Sequence, residues 1–271
     1  MFVAISTQFW NKASIYIRTE MLINVTIGLK LLQETVESNP GPHLDVLTYN
    51  CNGLRNQSKL KRLILKIQPM VEKGAIIFLQ ETHIVSTDYL SLIFKHKFVS
   101  NCTKTNSAGV IILVNKEYEI QQIDEEVEGR NVIVVVRNEK LKFILMNSYF
   151  PNDHKGAKIL TEKVYYKLLE TQSNYPDHHT IWAGDFNVCL TPEDCLNRQR
   201  SKYEQKLADS LIDNNKILKL EDAYRKLNPV GGFTWKRGEC YSRLDHIFVT
   251  NDLSSQVKKA ETEWAFEIQI T

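Results

Sequence analysis

The stretch "TIWAGDFNV", Thr180 to Val188, begins as an apolar strand former and breaks off into Gly184, Asp185 and Asn187. Its composition predicts a buried strand running into a polar loop. A carboxylate at the end of such a strand stands where an unpaired charge is costly, so Asp185 calls for more than a turn-forming role. The same design recurs upstream, where "AIIFLQE", Ala75 to Glu81, ends its apolar run on Glu81. In layered α/β folds ligands collect where strand ends converge, so two such acids can share one site although far apart in sequence.

The sequence on either side supplies the layers. From His43 onward "LDVLTYN", "LKRLILKIQPMVEKG" and "AIIFLQE" read as strand, helix and strand, a β-α-β opening. Then "GVIILVN", "NVIVVVRN" and "LKFILMNSYF" follow without an intervening helix, with Gly129-Arg130 and Asn138-Glu139-Lys140 as turns. Neighbouring strands of this kind predict antiparallel or mixed sheets. "AKILTEKVYYKLLETQ" places Ile159, Val164, Leu168 and Leu169 at helical spacing, and "KYEQKLADSLIDNNKI" is a second amphipathic helix. "GGFTW" and "SRLDHIFVT" are expected to close the domain as strands.

Composition narrows the function classes. A chain of 271 residues, 43% hydrophobic, can bury one substantial core. With 34 basic against 32 acidic residues the net charge is only +2, so any phosphate-binding face must be local. Five cysteines without a C-x-x-C pair argue against a zinc site or a disulfide scaffold. Reduced thiols and a nuclear or cytoplasmic setting are expected, not secretion. The apolar run "MLINVTIGLKLL", Met21 to Leu32, is interrupted by Lys30 and is shorter than the roughly 20 residues of a membrane span. No membrane partner is expected, and the reading takes the chain as a monomer.

The polar strand ends suggest hard-metal and phosphate chemistry. Glu81 with Asn50 offers oxygen ligands suited to Mg²⁺, which keeps most of its waters and takes few protein carboxylates. Asp185 could orient or deprotonate water, while Asn187, Tyr149 and Asn152 could donate to phosphate oxygens. For a lone Asn after a strand, such as Asn52, Asn138 or Asn152, a turn or cap serves equally well. The weight falls on Glu81 and Asp185.

Taken in order, "LTYNCNGLR", "IIFLQETH", "NSYFPN", "WAGDFN" and "YSRLDHI" resemble the endonuclease/exonuclease/phosphatase superfamily, the DNase I-like fold, over about residues 44–271. Within it, "QETH", "SAGVIILV", "LEDAYRKLNP" with "GGFTWKRG", and "YSRLDHI" resemble the endonuclease domain of LINE-type (non-LTR) retrotransposons. The resemblance implies a four-layered α/β sandwich and a Mg²⁺-dependent (or Mn²⁺-dependent) nick in DNA, leaving a 3′-hydroxyl that primes reverse transcription. It assigns Asn50 and Glu81 to the metal and Tyr149 to the phosphate. Asp185 becomes the water-orienting acid and Asn187 the amide that stabilises the pentacovalent phosphate. Thr234 and Ser242 fall where these enzymes contact DNA, and Asn152 is grouped with them; Trp235 suits either the DNA groove or the core.

Asp245 matches the aspartate that orients a catalytic histidine, much as a triad acid orients its base. In the family that histidine belongs to a later Ser-Asp-His motif. His246 cannot serve, because adjacent strand residues point to opposite faces, and it is expected to be structural or on the surface. The 271 residues contain no Ser-Asp-His, so the fold is expected to be C-terminally truncated, with an exposed sheet edge and nicking reduced or lost. An abasic-site endonuclease or other phosphoesterase of the same fold, and an inactive DNA-binding remnant, are the competing readings. Basic residues Arg55, Lys236, Arg237 and Arg243 are candidates for the DNA backbone.

Residues 1–42 read as a leader, and 43–271 as the domain. The leader closes in "LLQETVESNPGP", which resembles 2A-type ribosome-skipping peptides at Val36, Glu37, Asn39, Pro40, Gly41 and Pro42 but has Thr35 where aspartate is usual. The resemblance implies that the Gly41–Pro42 bond is not made; a plain Pro-Gly turn is the alternative.

Overall fold

The computed structural model describes residues 22–25, 44–102, 107–125, 127 and 129–262. The 2A-like stretch lies outside the described residues. In chain order the first strands are β1 (Leu22–Val25), β2 (Val46–Asn50), β3 (Ile76–Gln80), β4 (Lys97–Asn101) and β5 (Val110–Val114). Next come β6 (Glu119–Asp124), β7 (Asn131–Arg137), β8 (Lys142–Tyr149), β9 (His179–Asp185) and β10 (Cys195–Leu196). β11 (Leu220–Asp222), β12 (Trp235–Arg237), β13 (Cys240–Ser242) and β14 (Asp245–Thr250) complete the set.

Two mixed sheets face each other, in the orders β1-β2-β3-β5-β4 and β11-β14-β9-β8-β7-β6. Among the described residues only the β2/β3 and β8/β9 pairs are parallel. Alternation along the strands builds three apolar layers. Val46, Phe78 and Ile112 of the first sheet meet Val134, Leu145, Ile181 and Ile247 of the second in the central layer. The odd-facing partners Leu47, Ile77 and Ile111 pack under helices α1 (Gln57–Glu72) and α2 (Asp88–Ile93). Trp182, Met146 and Phe248 pack under α3 (His154–Asn174) and α4 (Lys202–Ile217). The result is the expected four-layered α/β sandwich.

Local chemistry explains the helix starts. The side chains of Asn56, Asp153 and Ser201 each accept a hydrogen bond from a first-turn backbone N–H of α1, α3 and α4, the standard satisfaction of orphan donors. The buried face of α3 is Ala157, Leu160, Thr161, Val164, Leu168 and Thr171. Ile159, expected on that face, is instead exposed. Helical phase is fixed by the whole stripe, and Leu160 satisfies it where Ile159 does not.

Other expectations are corrected at the edges. "SRLDHIFVT" is not one strand: Ser242 ends β13 in a small sheet of order β10-β13-β12, and Asp245 starts β14 in the large one. Arg243 and Leu244 form the crossover. "GGFTW" contributes only Trp235 to a strand. β4 and β6 give no clear strand pattern in the sequence because they carry polar, half-exposed residues, as in "EIQQID". Leu22–Val25, within the expected leader, pairs antiparallel with β2, Leu22 opposite Tyr49 and Val25 opposite Val46.

Candidate active site

On β9 and β14 the central face keeps its parity to the strand end. Ile181 and Ala183 face the central layer on β9, so Asp185 faces the same way; Ile247 and Val249 do the same for Asp245 on β14. Asp185 and Asp245 are cross-strand partners. On the opposite sheet Asn50 extends the Val46–Thr48 face of β2, and Glu81 follows β3.

The Asn50 amide bridges the two sheets at these ends. Asn50 Nδ2 donates to Glu81 Oε1 at 2.9 Å and to Asp185 Oδ2 at 2.8 Å. Both carboxylates are nearly inaccessible, at 4% and 5% exposure. Asn50 Oδ1 accepts from Asn52 N at 3.0 Å. Asn187 N donates to Asp185 Oδ1 at 3.0 Å, and Asn187 Nδ2 donates to Phe150 O at 2.7 Å. Tyr149 lies beside both acids. Burial, then the negative charges of Glu81 and Asp185 and a hydrogen bond to Glu81, push its phenol far above the ordinary value. The Arg130 guanidinium stacks 4.6 Å from the Tyr149 ring centroid, a cation–π contact at the site's edge.

Backbone strain is concentrated here. Asn52, Glu81, His83 and Asn187 all have φ between 45° and 54°, a left-handed conformation that costs roughly 1–2 kcal/mol for a residue with a Cβ. Strain of this kind persists where the surroundings over-determine it and marks candidate functional positions. Gly184, in "WAGDFN", serves a different constraint. At φ +153° a Cβ would meet Ser148 O at 1.9 Å, so only glycine allows β8 and β9 to approach here. That approach sets Asp185 beside Tyr149, its register partner.

Beneath the acids a buried polar cluster joins the sheets. Gln80 Nε2 donates to Thr48 Oγ1 at 3.0 Å and to Asn147 Oδ1 at 2.7 Å. Asn147 Nδ2 donates to Leu79 O and Ile111 O, at 2.9 and 2.8 Å. Thr48 and Gln80 were not singled out from sequence. Their signal was a polar residue on the inward parity of an otherwise apolar strand.

The remaining predicted residues fall around this centre. Asn152 is exposed in the loop between β8 and α3. Thr234 and Ser242 lie at the small sheet, at 6% and 1% exposure. Thr234 Oγ1 accepts from Leu244 N at 2.9 Å, and Arg198 Nε donates to Ser242 Oγ at 2.7 Å. Trp235 is half-buried opposite Ser242. Arg55 is exposed and its Nε donates to His83 O at 2.8 Å. His83, whose Nε2 lies 3.7 Å from Glu81 Oε2, has a lowered pKa: burial outweighs the pull of Glu81.

Arg243 is not a DNA-facing charge. At 1% exposure it donates from Nε to Asp194 Oδ1 at 2.7 Å and from Nη2 to Asp222 Oδ2 at 2.6 Å. His246 is structural: its ring stacks on Phe248, with Nε2 3.2 Å from Val188 O and Nδ1 3.4 Å from Asp222 Oδ2. It points away from Asp245, as strand alternation requires.

The donor set at the centre is all oxygen apart from the bridging amide nitrogen. Two buried carboxylates beside one amide fit a hard divalent cation. Among the described residues no helix is long and apolar enough to cross a membrane.

Comparison with solved structures gives the same architecture. An abasic-site (AP) endonuclease from Leishmania major superposes with TM-score 0.68 at 18% identity, covering 86% of this chain and 87% of that one. An AP endonuclease from Archaeoglobus fulgidus gives 0.60 at 20% identity, over 78% and 88%. The 3′ phosphatase NExo from Neisseria, bound to a product DNA hairpin, gives 0.56 at 19%, over 78% and 88%. Residues 47–265 match the Endonuclease/Exonuclease/phosphatase family. The chain therefore belongs to that family of hydrolytic nucleases and phosphatases, generally dependent on divalent metal ions.

Proposed function

We propose that this chain is a Mg²⁺-dependent DNA endonuclease of the LINE-type retrotransposon kind, nicking one strand and leaving a 3′-hydroxyl. The observation that carries the reading is the Asn50 amide holding Glu81 and Asp185 together across the two sheets. Glu81, with the Asn50 amide oxygen, would hold the metal. Bound there, Mg²⁺ (or Mn²⁺) supplies a positive charge that stabilises the leaving oxygen. Asp185 orients and deprotonates the attacking water. Tyr149, its pKa raised, stays protonated at neutral pH and donates to a phosphoryl oxygen, as does the Asn187 amide. Asn152 faces the DNA, and Thr234 and Ser242 shape the hairpin that meets it. The motifs from "QETH" to "YSRLDHI" support the LINE-type assignment, and the proposed setting is nuclear or cytoplasmic.

Asp245, beside Asp185 across the β9/β14 pair, is proposed to orient a histidine of the Ser-Asp-His type, a motif absent from these 271 residues. Supercoiled-plasmid nicking tests the whole reading. A polypeptide extended through such a motif is expected to nick with Mg²⁺, roughly 10²- to 10⁴-fold faster than the 271-residue chain. Glu81→Ala in the extended form should abolish the metal-dependent rate; undiminished nicking refutes the Glu81 assignment, and equal rates for the two lengths refute the impairment.

Two of the similar structures are AP endonucleases, which supports a second reading, cleavage at abasic sites. Preference for an abasic duplex over an intact T/A-rich plasmid would select it. For the leader we propose skipping between Gly41 and Pro42; in vitro translation with tags at both ends should give two products, and a single full-length band rules it out.

A further inference from the structure

A second cluster of reactive groups lies beyond Asn187, outside the acids described above. Cys189 is fully buried in the loop leaving β9, and Cys195 is half-buried on β10. Their sulfurs and a Glu204 carboxylate oxygen lie within 4.8 Å of one another. Arg198 is threaded among them: Nη2 donates to Cys189 Sγ at 2.9 Å and to Glu204 Oε1 at 2.7 Å, and Nη1 donates to Glu204 Oε2 at 3.0 Å. Three such ligands would suit a soft cation, but the guanidinium already provides the positive charge there, and a metal ion would be repelled by it. A thiolate has the opposite relation to a guanidinium, which stabilises it and makes it nucleophilic.

We propose that Cys189 and Cys195 form a reversible redox site, a dithiol that hydrogen peroxide or another hydroperoxide converts to a disulfide. Cys195, the more accessible sulfur, is the one attacked first. Its pKa is lowered by the hydrogen bond with Cys189, against burial, with Arg198 adding to the effect; the buried Cys189 is pushed the other way. The Cys195 thiolate attacks one peroxide oxygen and the O–O bond breaks. Two electrons pass from sulfur to the peroxide, giving a sulfenic acid and, after proton uptake, water or an alcohol. Cys189 sulfur then displaces hydroxide from the sulfenic sulfur, and the Cys189 proton completes a water molecule. With hydrogen peroxide the net change is two thiols and one peroxide to one disulfide and two waters.

The disulfide would tie the loop that follows Asp185 to β10. Cys195 is the register partner of Ser242 on β13, whose hydroxyl Arg198 holds. Cys189 Sγ now donates to Asp194 O at 3.2 Å, a bond that a disulfide sulfur cannot make. Oxidation therefore removes the Cys189–Asp194 hydrogen bond beside the small sheet.

The test is peptide mapping of the 271-residue protein after stoichiometric hydrogen peroxide and alkylation of the remaining thiols. The expected result is a Cys189–Cys195 disulfide with Cys51, Cys102 and Cys240 still alkylated, reversed by dithiothreitol. In Cys189→Ser, Cys195 should stop at the sulfenic acid and be trapped by a dimedone-type probe. Arg198→Gln should slow oxidation several-fold. Modification of Cys102 or Cys240 before Cys195, or a dithiol that stays reduced while free cysteine in the same tube is oxidised, overturns the proposal. The wild-type map alone decides, even where a variant folds poorly.

Discussion

Two groups of carboxylates withdrawn from solvent are balanced in different ways. Asp194 and Asp222 are met by the Arg243 guanidinium, with Arg225 also on Asp194. Glu81 and Asp185 are met by the Asn50 amide, and Asp185 also by the Asn187 backbone N–H. The first arrangement is a closed ion-pair network that anchors β14 and the crossover to the loop after β9. In the second an amide bridges the acids on a strained backbone, an arrangement open to exchange of that amide for a cation. A buried acid thus reads as structural or as functional according to what meets it, not according to its burial.

The comparison breaks first at the functional acids. Asp185→Asn in the extended polypeptide should lower nicking by roughly 10²- to 10⁴-fold while urea denaturation shows a stability change under about 1 kcal/mol. A large stability loss would put Asp185 in the same class as Asp222. Arg243→Leu should do the reverse, destabilising the fold by roughly 3–5 kcal/mol because buried Asp194 and half-buried Asp222 each lose a guanidinium partner. A change within about 0.5 kcal/mol would show that the network is not structural.

A titration sharpens the same contrast. Burial pushes the Asp222 and Asp194 carboxyls up, but Arg243 and His246 outweigh it and hold both below the ordinary carboxylate value. A depressed folded-state pKa contributes stability that is fully present above the unfolded value, near pH ~4, and is lost as pH falls through the folded value. Stability measured by urea denaturation from pH 5 downward should therefore fall steeply in the wild type. In Arg243→Leu burial is opposed by fewer charges, so the slope should flatten. The smallest expected effect concerns α3: Ile159→Ala should change stability by no more than about 0.5 kcal/mol, whereas Leu160→Ala should cost roughly 2–5 kcal/mol.

The chemistry of the site is legible in the sequence because two apolar runs end on a carboxylate. Asp185 and Glu81 could be picked out by the cost of a charge after a buried run, and the order of five motifs supplied the fold. Strand parity says nothing about which sheet a strand joins, so "SRLDHIFVT" reads as one strand across a crossover and Arg243 as a candidate for the DNA backbone. β4 and β6, half-exposed and polar, give no contrast between faces. Arg130, read only as part of a turn, reaches Tyr149 through the pairing of β7 with β8, a tertiary fact with no local signature.

The Thr48–Gln80–Asn147 cluster has a mechanical consequence. Glu81 and Asp185 stand on different sheets, and sheets that touch only through aliphatic side chains can slide over one another at little energetic cost. Directional hydrogen bonds from Gln80 to Asn147, and from Asn147 to the backbones of β3 and β5, act as a pin through both sheets. Slippage by one residue, about 3.3 Å along a strand, would break them all. The loops above can therefore change shape while the gap between the two acids keeps a constant width.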